Sequence, residues 1–158
     1  QLYRDARTAG NGGGEAMSKW FWASAKLAGD IGFHCGSRAG ARWFSRSQPV
    51  YLYSFAPIED FPTGVIGHCA QKPYVQLQQP NSSLASKMGR YWYSFAKYGD
   101  PNTAPRLAGM PDWPLYHNAS DVNVIFDEPT IRTEVGLRKA QCALCANTQS
   151  CQPNAGNS

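Results

Sequence analysis

Three histidines and five cysteines give this sequence its chemical reach, and their spacing limits what they can do. There is no Gly-x-Ser-x-Gly, no glycine-rich phosphate loop and no His-Glu-x-x-His, so the chain carries no nucleophile elbow, nucleotide cradle or zinc-protease helix. Acid–base work within it would rest on His34, His68 or His117. His34 precedes Cys35 just after a predicted helix end, and His117 sits in a polar stretch, so structural or solvent-facing roles are expected for both. His68 differs. It follows a predicted buried strand, and in open α/β sheets ligands bind in the crevice beyond the strand carboxyl ends.

The cysteines stand at 35, 69, 142, 145 and 151. Cys142-x-x-Cys145 has the spacing of a zinc-ligand pair, but no second pair accompanies it, so a four-ligand site lacks its other half. Neither a metal nor a cofactor is expected. Two N-glycosylation sequons, Asn81-Ser82-Ser83 and Asn118-Ala119-Ser120, favour the secretory route and disulfides over a reducing compartment. Buried thiols beside a fortuitous tripeptide are the plainer alternative.

The elements that must position these groups are legible in outline. Residues 1–14, with Asn11-Gly12-Gly13-Gly14, read as a loop or linker. Ala16, Trp20, Ala23 and Leu27 follow helical spacing over 15–28, and Gly29 is expected to end the run. Residues 49–55 are rich in aromatic and β-branched types on both alternating faces, which suits a strand buried on both sides. A long loop should occupy 56–79. Ser82 or Ser83 can then cap a helix whose apolar stripe is Leu84, Met88, Tyr91, Trp92 and Phe95, ending near Gly99. Asp100-Pro101-Asn102 marks a turn, and 122–126 a short strand. A helix is expected over 131–144, with Glu134 and Arg138 paired one turn apart. Residues 15–146 form the structured unit, and 147–158 read as a flexible tail. This order is that of an α/β protein. Two strands make too small a sheet, so the chain is expected to complete it with another polypeptide.

Composition agrees with a globular chain of 158 residues, about one domain. Leu, Ile, Val and Phe fall below the ~20% associated with disorder, but the net charge is only +4. Eight Tyr, seven Phe and five Trp supply the missing apolar area. The basic residues are scattered singly, which argues against a nucleic-acid surface. No run approaches the ~18 apolar residues of a membrane span, and Gln1 does not open a signal peptide, so any targeting segment would lie upstream or have been removed.

Several strings occur together in one order: Pro49-Val50-Tyr51-Leu52-Tyr53-Ser54-Phe55; Gly64-Val65-Ile66-Gly67-His68-Cys69-Ala70-Gln71-Lys72-Pro73-Tyr74-Val75; Met88-Gly89-Arg90-Tyr91-Trp92-Tyr93-Ser94-Phe95-Ala96 with Gly99-Asp100-Pro101-Asn102; and Trp113-Pro114-Leu115-Tyr116. From about Asp30 to Cys142 the chain resembles the last third of the type-B carboxylesterase and cholinesterase family. The resemblance implies the C-terminal part of an α/β-hydrolase fold, a mixed, mostly parallel sheet with helices on both faces. It implies that the nucleophilic serine and the acid lie on an N-terminal segment or partner chain. Aligning Pro73-Tyr74-Val75 with the end of the family's His-Gly-x-Glu/Asp-Leu-Pro-Tyr-Val makes His68 the general base. Cys69 replaces the Gly, Gln71 the acid and Lys72 the Leu. The resemblance further implies a disulfide between the Cys of Asp30-Ile31-Gly32-Phe33-His34-Cys35 and that of Leu137-Arg138-Lys139-Ala140-Gln141-Cys142, leaving Cys69, Cys145 and Cys151. Ester hydrolysis by a secreted serine hydrolase is the implied function. The family also contains inactive members used for adhesion or as structural subunits, and these supply the rival reading. A small self-sufficient disulfide domain is a third.

Overall fold

The computed structural model describes residues 19–57 and 66–146. The 1–14 linker, the first residues of the predicted 15–28 helix, and the 147–158 tail with Cys151 lie outside the described residues.

Helix α1, Lys19–Gly29, does not stop at its glycine. Gly29 keeps right-handed angles, φ −62° and ψ −41°, and the chain runs through a π-helical turn, Asp30–His34, into α2, Cys35–Phe44. A glycine ends a helix where the backbone turns left-handed, and here long-range anchors prevent that. The buried Asp30 carboxylate accepts from Arg138, Nε to Oδ1 at 2.7 Å, and Cys35 is tied to Cys142. The wider turn places both residues toward the same distant segment.

The sheet has the order β1-β2-β3. β1, Tyr53–Phe55, runs parallel to β2, Val122–Phe126, with Tyr53 opposite Val124; β3, Arg132–Val135, is antiparallel to β2. The predicted 49–55 strand is shorter as a ladder, but its carbonyls still pair outward: Val50 O accepts from Tyr116 N at 2.8 Å and Leu52 O from Val124 N at 3.0 Å. β1 residues are half-buried rather than enclosed, because β1 is the edge of this sheet.

Alternation along the strands builds two cores. On one face Tyr51, Tyr53 and Phe55 join Val124 and Phe126 against Leu84, Met88 and Tyr91 of α4, Ser83–Tyr98. On the other, Val50 and Leu52 meet Ala41 of α2, Tyr116 and Leu137. Helix α4 is as expected from its stripe, although Phe95 at its end is half exposed. Ser82 Oγ accepts from Ala85 N at 3.1 Å, the Glu128 carboxylate accepts from Leu84 N at 3.1 Å, and Gly99 at φ +73° closes the far end.

Two further expectations are corrected. The 56–79 loop contains a single-turn helix, α3, Lys72–Val75, because Pro73 suits a first turn and Tyr74 drops into the core. The helix expected over 131–144 is β3, then Gly136 at φ +78°, then α5, Lys139–Ala146. Ile131 to Val135 alternates and finds a ladder on β2, where Glu134 faces Asn123; Arg138 reaches Asp30 instead of Glu134. On the α2 face a buried network completes the frame. Arg38 donates to Leu137 O at 3.0 Å and pairs with Asp121, whose Oδ1 accepts from Tyr116 at 3.0 Å.

Candidate active site

His68 follows β1 in the chain and occupies a tight turn, in which Ala70 N donates to Gly67 O at 3.3 Å and Lys72 N to Cys69 O at 3.0 Å. Its imidazole is exposed and stacks on the Phe33 ring, with centroids 4.3 Å apart and planes 17° from parallel. Neither ring nitrogen is hydrogen-bonded by any of the described residues. Tyr74, buried in the main core, anchors the turn. Burial pushes the Tyr53 phenol above its usual range, and the nearby Gln71 side chain opposes the shift. The residues that depart from the family string therefore have places here. Gln71 lies near the Tyr53 hydroxyl of β1, Lys72 is solvated at the start of α3, and Cys69, a free half-buried thiol, takes φ +65°.

The other two histidines are elsewhere. His34 Nδ1 stands 3.2 Å from Asp30 Oδ1 but off the line of a hydrogen bond. His117 is exposed in the turn before β2, where its carbonyl accepts from Asp121 N at 2.8 Å. Cys35 and Cys142 are joined across 107 positions with their Cα atoms 5.3 Å apart, so Cys142 offers no thiolate to a metal. Among the described residues no cluster of His, Cys, Asp and Glu could hold a metal ion. Asn81 and Asn118 are both exposed, and Asn118 Oδ1 accepts from Arg42 Nε at 2.6 Å. An apolar recess of about 180 Å³ lies between β1 and α4, lined by Tyr51, Tyr53, Trp92, Phe95 and Trp113. His68 does not line it.

Residues 5–145 match the carboxylesterase family. The chain belongs to that family. As a carboxylesterase-family chain it is 23% identical over 133 residues to the acylcarnitine hydrolase of Rattus norvegicus, covering 74% of this chain and 23% of that protein. It is 26% identical over 115 residues to a pyrethroid hydrolase of Mus musculus, covering 62% of this chain and 20% of that protein. In structure it resembles the carboxylesterase of Geobacillus stearothermophilus, with a TM-score of 0.65 at 23% identity, over 83% of this chain and 29% of that one. The carboxylesterase-family chain thus spans under a quarter of the length of the curated relatives it matches. Its mixed three-stranded sheet with helices is part of an α/β-hydrolase-like fold.

Two features of the site lay outside the motif reading. The contact of Phe33 with His68 joins segments far apart in the chain, and its one sequence signal was the place of Phe33 in the string before Cys35. The approach of Gln71 to Tyr53 had no signal, because a glutamine at an acid's position reads only as a loss.

Proposed function

We propose that this chain supplies the general base, His68, to a carboxylesterase whose serine and acid lie on the rest of the hydrolase domain, in the same polypeptide or a partner chain. The observation that carries the reading is the placement of His68. The family string sets it on the turn after β1, exposed, with its face held and both nitrogens open. A base of this kind takes the proton of a serine hydroxyl as the oxygen attacks an ester carbonyl, then returns it to the departing alcohol. The acid at its other nitrogen fixes the tautomer and stabilises the imidazolium. The exposed sequons and the disulfide support a secretory setting. No helix among the described residues is long and apolar enough to cross a membrane.

A second reading, a catalytically silent adhesion or structural subunit, is favoured by one observation. The position of the family's carboxylate holds Gln71, an uncharged amide that lies near Tyr53. The experiment is hydrolysis of a simple aryl ester by the whole protein, with organophosphate labelling of its serine. His68→Ala should abolish turnover while fold and glycans at Asn81 or Asn118 persist. Absence of both hydrolysis and label in the wild type selects the second reading, whereas undiminished hydrolysis in the variant shows that His68 is not the base.

A further inference from the structure

We propose that Phe33 is a positioning residue for His68; this rests on the general-base reading above. The Phe33 ring lies nearly parallel to the imidazole, with centroids 4.3 Å apart. A base that must address a serine with one nitrogen and an acid with the other needs its plane fixed while both edges remain open. Hydrogen bonds lie in the imidazole plane, so a face contact sets the plane without consuming either nitrogen. The turn bearing His68 does not fix it otherwise. The side chain is exposed, and no described residue bonds its nitrogens.

The platform, by contrast, is braced. Phe33 sits within the π-helical turn, with Asp30 at one end gripped by Arg138 and Cys35 just beyond the other joined to Cys142. Both anchors hold the turn to the segment around α5. The aromatic face is therefore carried by long-range bonds rather than by local packing, and Phe33 itself is half exposed. A side chain with so little burial contributes little to the core. Its flat face lies against His68.

The experiment uses the whole protein with p-nitrophenyl acetate, comparing wild type with Phe33→Leu, Phe33→Ala and Phe33→Tyr. Loss of the flat face in the Leu and Ala variants should lower kcat about 10-fold, a modest misplacement penalty, with KM unmoved. The Tyr variant should retain wild-type kcat, since it keeps the flat face against the imidazole. In NMR spectra the His68 ring C–H signals should be displaced by the Phe33 ring current, lose that displacement in the Leu variant and keep it in the Tyr variant. Unchanged kcat in Phe33→Leu, or unchanged His68 signals in that variant, overturns the proposal. Should the wild type neither hydrolyse the ester nor take an organophosphate label, the general-base reading falls instead, and the NMR comparison alone decides whether Phe33 sets the ring.

Discussion

Cys69 carries a backbone angle that its side chain opposes. At φ +65° the Cβ of an L-residue crowds the following carbonyl, at a cost of roughly 1–2 kcal/mol that glycine does not incur. The family string has glycine at this position, and the geometry gives the reason: the chain must turn left-handed immediately after the base. Cys69→Gly should therefore raise stability by roughly 0.5–1 kcal/mol, since the extra freedom of glycine in the unfolded chain offsets part of the relief. Cys69→Ala removes the thiol but keeps the Cβ, and should give no such gain. Urea unfolding midpoints of the three proteins check this. A gain shared equally by the Ala variant would trace the effect to the thiol instead. His68 is singled out in the sequence because the family string falls in the loop that follows a predicted strand. The approach of Gln71 to Tyr53 is not legible there, because a side chain's neighbour across a turn depends on where β1 places Tyr53.

Among the elements, α4 and β2 were legible because each carries its own evidence. Helix α4 has a capping serine, a stripe of helical period and a left-handed glycine at its end; β2 has a compact β-branched run. The segment after β2 was misread because Ile131 to Val135 is short and ambiguous, and only a ladder with β2 decides it. Gly29 was misread for a related reason. Gly29 and Gly99 are the same residue type at a plausible helix end, and only tertiary anchors separate φ −62° from φ +73°.

The packing of α4 on the sheet also has a pH signature. Burial, with a smaller contribution from Asp112, pushes the Tyr91 phenol up to about 12 against the opposing effect of Arg106; burial also raises Tyr53. Below pH 10 these phenols are neutral whether folded or not. Above it the unfolded chain ionises first, so stability present at neutral pH is lost as pH rises from about 10 toward 12. Tyr91→Phe gives up the hydrogen bond from the hydroxyl to Pro111 O, costing about 1 kcal/mol at pH 7, and should shallow the alkaline decline. Unfolding free energies measured at pH 7 and pH 11 test this; parallel declines in both proteins would assign the alkaline loss to other groups.

At the scale of the whole molecule, the question is what covers the apolar surface. Trp20 is 66% and Trp43 62% exposed, with Phe21 and Phe44 beside them in sequence on α1 and α2, while α4 presents Tyr93, Phe95 and Tyr98 on the opposite face of the sheet. Between these surfaces β1 is the edge strand. An edge flanked by large apolar side chains on both faces favours association. The disulfide does not relieve this. Closing a loop over 107 positions constrains the unfolded chain by about 4–5 kcal/mol on the chain-entropy model, but it covers neither face. The Geobacillus enzyme has 71% of its chain beyond the 29% matched here. Produced alone, the chain should therefore aggregate or bind a hydrophobic dye strongly. Produced with the remaining part of a carboxylesterase domain, it should be soluble and unfold in one cooperative step. Light scattering and dye fluorescence of the two preparations decide it. A soluble monomer of the chain alone, unfolding cooperatively without dye binding, would show that these faces need no partner and would favour the self-sufficient disulfide domain.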